Sequence, residues 1–250
     1  MKKLSFILII ILPFFSTNCK KSNGKSSTTT QGSLADSIKI GLVAWYPFTG
    51  NANDSSGNNN NGTVNGATLT ADRFGNIGSA YSFNGSSYIE VPYSSTMNLP
   101  NGTISFWFKT SQSTLQIMLY KMVYATAENE NYAFAIEDNN LIDFYVKYNS
   151  NCTPGMGWQR CTTTNQYSDD SYHHMLGTIS SDSLKMYVDG KKIASQVVPN
   201  SSADICSPSS LFIGRDWATN QLYDFNGSLD DIRLYNRILS QNEITYLASH

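Results

Sequence analysis

From residue 40 onward the chain alternates. GLVAWYPF, SAYSF, SYIEV, TISFWFKT, LQIMLY, NYAFAIE, LIDFYVKY, HHMLGTIS, LKMYV, KKIASQVV, SLFIG and SLDDIRLY are short runs rich in β-branched and aromatic residues. Clusters of Gly, Asn, Asp, Ser or Pro separate most of them. A period of two sends successive side chains to opposite faces of a strand, so the pattern predicts about a dozen strands. Helical periodicity is nearly absent. Asp189-Gly190 is placed for a type I′ hairpin turn, and Ser240 with Glu243 forms a capping-box pattern before ITYLA. So many antiparallel strands close as a β-sandwich or a barrel, and a sandwich in one domain is expected. With 40% apolar residues, including 15 Tyr, 12 Phe and 4 Trp, the chain has enough material for a core.

Charged residues make up only 14% of the chain and the net charge is -2, which argues against a nucleic-acid-binding surface. The beginning of the chain reads as a processing signal. MKK supplies positive charge, and LSFILIIILPFF has the length of a signal-peptide apolar region but is short for a membrane span. Residues 1–18 are therefore expected to be a lipoprotein signal peptide. Cys19 stands where a bacterial lipoprotein carries its lipid, although Ser16 and Asn18 depart from the usual lipobox. Residues 19–38, rich in Lys, Ser, Thr and Gly, are expected to be a flexible tether, with the folded domain at 39–250. This places a monomeric protein, lipid-anchored at the bacterial outer membrane, in the periplasm or facing outward.

An oxidising compartment leaves Cys152, Cys161 and Cys206, of which only two can pair. The short loop C-TPGMGWQR-C makes Cys152–Cys161 the first expectation, worth about 2.5–3 kcal/mol in the chain-entropy account. Pairing of either with Cys206 is the alternative.

Several stretches, taken together and in order, carry a family resemblance. WYPFTGNANDSSGNNNNGTVNGATLTADRFGNIGSAYSFNGSSYIEVP, TISFWFKTS, SYHHMLGTIS, LKMYVDGKKIAS, LFIGR and FNGSLDDIRLYNRILSQNEI resemble a laminin-G-like, concanavalin A-like lectin/glucanase domain over residues 40–250. Tyr172 stands where Trp is usual before the His pair. The resemblance implies a jelly-roll β-sandwich of two curved antiparallel sheets with a short C-terminal helical turn. It also implies a structural Ca²⁺ in many members, and binding of glycans or proteins.

The stretch NANDSSGNNNNGTVNGATL, residues 51–69, is almost purely polar. Ca²⁺ takes six to eight oxygen ligands. Asp54 offers a carboxylate, Asn53, Asn59 and Asn60 offer amide oxygens, and Gly57 and Gly62 let the chain turn. In SLDDIRLY, Asp230 shares its parity with Ile232 and Leu234, so strict alternation points it inward, where an unpaired carboxylate is costly. Composition alone fits an Asn/Gly turn with Asp230 salt-bridged or solvated. The resemblance instead nominates Asp54 and Asp230 as calcium ligands, joined by carbonyls from around residues 56–60. Without a His/Cys cluster, Ca²⁺ is preferred to zinc or copper.

No catalytic arrangement stands out. Glu128 and Glu130, and Glu137 with Asp138, are the nearest to paired carboxylates, but neither pair resembles the Glu-x-Asp-x-x-Glu strand of the related glucanases. His173 and His174 are adjacent on a strand and point to opposite faces. Trp45 and Trp107 lie in strand runs and are expected in the core. Breaks in the strand pattern at 149–171 and 215–225 bring Trp158, Arg160, Tyr167, Arg215, Asp216, Trp217 and Tyr223 forward as ligand-binding candidates, since glycan sites combine aromatic faces with a few polar groups. The chain thus reads as a non-catalytic, surface-anchored, lectin-like module for carbohydrate. The alternatives are a protein-binding adhesion module and, behind it, a glycoside hydrolase.

Overall fold

A computed structural model describes residues 30–123, 129–148, 157–198, 203, 208–216 and 221–250. The signal segment, Cys19, Glu128, Cys152, Cys206 and Trp217 lie outside the described residues.

Two antiparallel sheets face each other. The first has eight strands: β1 (Leu42–Tyr46), β3 (Thr68–Ala71), β4 (Ile77–Asn84), β6 (Gly102–Lys109), β11 (His173–Ile179), β12 (Ser183–Val188), β13 (Lys191–Val197) and β15 (Asn226–Tyr235). They run β13-β12-β11-β6-β15-β4-β3, with β1 also paired to β15. The second has seven: β2 (Thr63–Asn65), β5 (Tyr88–Val91), β7 (Gln116–Val123), β8 (Asn129–Ile136), β9 (Ile142–Lys147), β10 (Trp158–Thr162) and β14 (Leu211–Ile213). Their order is β10-β9-β8-β7-β14-β5-β2.

The alternating apolar positions form the layer between the sheets. Ile104, Phe106 and Phe108 of β6 meet Phe134 of β8 and Phe144 of β9 there. Phe134 and Phe144 stack at 4.1 Å, and Phe106 meets Phe134 edge-on at 5.0 Å. Gly177 of β11 lies beneath this stack. A Cβ at that position would come within 2.3 Å of Phe144, so only glycine lets the sheets approach so closely.

The local turn signals are realised. Asp189 and Gly190 both have positive φ, 49° and 75°, as a type I′ turn requires. Ser240 and Glu243 form the reciprocal capping box that starts α2 (Gln241–Leu247). Part of the expected tether is helical: α1 (Thr30–Ser37) reaches α2, with the Ser37 hydroxyl donating to Glu243 and Arg237 donating to the Ser37 carbonyl. Ile38 is buried with Leu176, Tyr187, Tyr235, Ile244 and Leu247, an apolar cluster that ties both helices to the eight-stranded sheet.

In β15 the alternation breaks. The register shifts between Asp230 and Arg233, and Asp231 has φ 47°, the mark of a bulge. Ile232 and Leu234 stay in the core, while Asp230 and Asp231 both contact Arg73. The extra residue resets the parity, so Asp230 does not share the inward face expected for it.

Candidate functional site

The Asn-rich loop is built around Asp54. One carboxylate oxygen accepts the main-chain N–H groups of Trp45 (2.9 Å) and Ser56 (2.8 Å). The other accepts the Ser56 hydroxyl and the Asn60 N–H, each at 2.9 Å. Asn61 accepts the N–H of Asp54 through its side chain, and Asn58 and Asn60 donate their amides to the Val43 carbonyl. Asn53 is turned by a bond from its N–H to the Asn51 side chain, and Gly57 and Asn59 have positive φ. Short polar side chains replace sheet partners for the backbone, which orders a loop whose buried apolar anchor is Ala52.

This geometry does not suit the expected calcium ion. A carboxylate offers about four lone-pair positions, and protein donors occupy all four on Asp54. Asp230 is held by the Arg73 guanidinium at 2.5 Å, a cationic group where the resemblance places a cation. Asp231 accepts the Trp45 indole N–H at 2.7 Å and the Arg233 Nε–H at 2.9 Å. The link between loop and last strand therefore runs through Trp45, whose backbone binds Asp54 and whose ring binds Asp231. Burial pushes the Asp230 carboxyl up to about 6 despite Arg73. Among the described residues, no three His, Cys, Asp or Glu side chains gather as a metal cluster. Trp45 and Trp107 are half-buried on this outer face rather than in the core, because indole N–H groups and charged partners collect here. His174 is buried against Ser105, and burial lowers it to about 3, leaving a neutral ring. His173 turns away to bond Asp189 and Asp169, which raises its pKa, Asp189 contributing most.

The outer face of the seven-stranded sheet is different. Strand pairing sets Thr63, Glu90, Phe212, Tyr120, Ala133, Tyr145 and Arg160 side by side, one from each strand. Their chain neighbours Ile89, Ile213, Phe134 and Phe144 belong to the core, so this row faces outward. Trp158, two residues from Arg160 and 36% exposed, meets Tyr145 edge-on at 6.3 Å. At the other side Tyr88 lies 6.1 Å from Phe212, and the Arg215 guanidinium covers Tyr88 at 4.0 Å. Aromatic rings thus come from β5, β14, β7, β9 and β10, while β8 contributes Ala133 and Ala135, a low floor between larger side chains.

A second row crosses the same face: Thr162, Asp143, Ala135, Ile117 and Asp224. Asp143 is 1% exposed and Asp224 6%. One oxygen of Asp143 lies 2.9 Å from the Tyr145 hydroxyl and 3.2 Å from Arg160, and one oxygen of Asp224 accepts the Asp216 N–H at 3.1 Å. The remaining oxygens, Oδ1 of Asp143 and Oδ2 of Asp224, are buried and accept no hydrogen bond. Burial raises the pKa of Asp224.

The structure thus brings Trp158, Arg160 and Arg215 onto one sheet face, with Tyr223 beside Asp224 in a short 3₁₀ turn (Gln221–Tyr223). Tyr167 lies elsewhere, edge-on to His173 at 5.1 Å and packed on the core. Sequence reasoning missed Tyr88, Tyr120, Tyr145, Phe212, Asp143 and Asp224. The parity of LIDFYVKY, with Asp143 and Tyr145 opposite Ile142 and Phe144, was the available signal. Glu137 accepts from Tyr145 at 2.8 Å, and Asp138 caps the Leu115 N–H. Cys161 is a free, buried thiol donating to the Leu184 carbonyl at 3.2 Å, and Cys152, its expected partner, lies outside the described residues. The register of Cys161 opposite Phe144 turns it inward to the core, and burial pushes its pKa up to about 11.

A family model of the concanavalin A-like lectin/glucanases superfamily matches residues 83–245. Domain 4 of AbnA, a GH43 extracellular arabinanase from Geobacillus stearothermophilus solved with arabinotriose, is 22% identical with a TM-score of 0.64, covering 83% of this chain and 98% of that one. The binding domain of Paraclostridial Mosquitocidal Protein 1 is 18% identical, TM-score 0.67, covering 84% and 52%. The binding domain of botulinum neurotoxin DC in complex with SialylT is 16% identical, TM-score 0.62, covering 85% and 52%. The chain thus spans about half of each toxin binding domain, and at these identities the likeness is one of fold. A search of curated proteins found no match.

Proposed function

The chain belongs to the concanavalin A-like lectin/glucanase superfamily, and we propose that it is a non-catalytic module that binds carbohydrate on the outer face of its seven-stranded sheet. The observation that carries this reading is the row of outward side chains crossing all seven strands, with half-exposed Trp158, Tyr145 and Phe212 around an alanine floor. Aromatic faces supply apolar area to the C–H side of a sugar ring, and neighbouring polar groups fix its orientation. The two related structures solved with sugar ligands support the class of ligand.

Glu137 and Asp143 are both drawn to the Tyr145 hydroxyl, and Asp143 also to Arg160. Burial, with these two carboxylates, drives the Tyr145 phenol far above its ordinary range. Carboxylates committed in this way leave no poised acid and nucleophile. The signal-like residues 1–18 and Cys19 support presentation from a lipid anchor, with α1 leading directly into the domain. Calcium has no part in this reading.

A glycan array with the intact protein, followed by calorimetry on the best ligand, tests the proposal. Trp158→Ala should weaken binding tenfold or more while the fold is kept. Saturable capture of a protein with no glycan bound anywhere on the array would overturn it.

A further inference from the structure

The loop at 163–172 crosses from β10 of one sheet to β11 of the other, and His173 stands where it lands. Both nitrogens of that ring face carboxylates. Nδ1 lies 2.9 Å from Asp189, in the turn between β12 and β13, and Nε2 lies 3.2 Å from Asp169 in the loop. An ionised carboxylate only accepts, so each nitrogen must bring a proton. The neutral ring has one N–H and the imidazolium has two. Only the charged ring serves both contacts.

The surroundings favour that charge. Tyr167 meets the imidazole edge-on at 5.1 Å, and the Phe108 ring lies 5.9 Å away. Lys109, at the end of β6, reaches Asp170 at 3.7 Å and lies over the Tyr172 ring. His174 points to the opposite face and is kept neutral by burial. The Asp189 bond does most to raise the His173 pKa above 6.5, against the cost of burial, and Asp169 adds to it.

The two contacts are unequal. Asp189 is fixed at its other oxygen by the His174 N–H at 2.9 Å, and it is the less exposed carboxylate. Asp169 belongs to the loop, is more exposed, and makes the longer contact. A ring that loses one proton keeps the better acceptor, so the proton left behind stays on Nδ1.

We propose that His173 is a proton-operated clamp: the charged ring ties the crossing loop to the β12–β13 hairpin, and the neutral ring keeps Asp189 and lets go of Asp169. Other ties of the loop involve no imidazole and persist in both forms: Ser168 to Asn140, the Asp170 N–H to Thr110, and the Tyr172 hydroxyl to Ala71. Release is therefore confined to the stretch around Asp169. The contribution of the clamp is complete below pH 6.5 and is lost as pH rises through the raised value.

The test is NMR of the intact protein with nitrogen-15 histidine from pH 5 to 9, with His250→Gln to assign the signals. The His173 midpoint should lie above 6.5, with both nitrogens protonated below it and Nδ1 alone protonated above it. Asp189→Asn keeps an acceptor for the His174 N–H and should lower the midpoint, and Asp169→Ala should lower it less. Amide protection at Asp170 and Ser171, read by hydrogen exchange, should fall about threefold or more between pH 5.5 and 8.5. In Asp169→Ala it should stay flat. A midpoint at or below 6.5, or a neutral ring protonated on Nε2, would overturn the clamp. So would wild-type protection that responds to pH no more than that of Asp169→Ala.

Discussion

The two outer faces of the sandwich are made from the same residue types, and they use them in opposite ways. On the eight-stranded sheet, Asp230 and Asp231 are closed by Arg73, Arg233 and Trp45, and on the adjoining loop Asp54 is filled by four donors. Buried polar atoms without a hydrogen bond there include nitrogens of Arg73, Trp107 and His174, whose groups lie against one another at 4.9 and 5.2 Å, and the Tyr235 hydroxyl. On the seven-stranded sheet, Asp143 and Asp224 each keep an oxygen without a partner, among half-exposed aromatics. On one face the acidic side chains are answered by cations and an indole of the protein itself, while on the other aromatic rings stand partly open to solvent.

The contrast is best broken where the expected effect is largest. Asp231→Ala leaves Arg233 and the Trp45 indole without their acceptor and should cost about 3–5 kcal/mol in urea denaturation. A loss below about 1 kcal/mol would show that the network is ornamental. Asp54→Ala strips the acceptor from three main-chain N–H groups and should cost about 2–3 kcal/mol, loosening the loop. Proteolysis within 51–62 should then become faster in the variant than in the wild type. On the other face, Trp158→Ala should shift stability by no more than about 1 kcal/mol. A larger loss would assign that ring to packing instead of binding.

Calcium sharpens the same comparison at a smaller scale. An extracellular-class site at about tenfold saturation would stabilise by about 1.4 kcal/mol. Because donors fill Asp54 and Arg73 holds Asp230, millimolar Ca²⁺ should leave the melting midpoint unchanged. A rise that Asp230→Ala abolishes would restore the ion.

The effects of pH are told apart by their sign. The hydrogen bonds from Arg237, with help from Ser37 and Ser240, lower Glu243 from 4.5 to about 2. Its contribution is present above pH 4.5 and fades as pH falls toward 2. Burial raises Asp230 from 3.8 to about 6, so its contribution has the opposite sign and is lost as pH rises through that window. Denaturation of Glu243→Gln and Asp230→Asn against wild type at pH 3 to 7 should show two differences of opposite slope, and parallel slopes would contradict the assignment.

Much of the architecture was legible because it rests on local rules. Alternation marked the strands, Asp189-Gly190 the hairpin, and Ser240 with Glu243 the final helix. The site was less legible. Trp158, Arg160 and Arg215, singled out near breaks in the pattern, lie on the candidate face, yet Tyr145 and Asp143 lay inside a run that reads as ordinary strand. Asp230 was misplaced because one bulge residue, Asp231, shifts the parity, and no composition announces a bulge. The spacing of Cys152 and Cys161 suggested a pair, and only the strand register shows that Cys161 faces the core.

What the sequence determined by itself was the period-two chain, its turns and its family, since each depends on residues close together or on motifs in fixed order. What only the tertiary structure decided was which strands stand side by side. Asp143 and Asp224, far apart along the chain, enter one row only through the pairing of β9, β8 and β7 and the Ile117–Asp224 bridge, and Arg73 reaches Asp230 across 157 positions. Strand register is a non-local choice set by burying one face of each strand, so the chemistry of the outer faces emerges only after the core has closed.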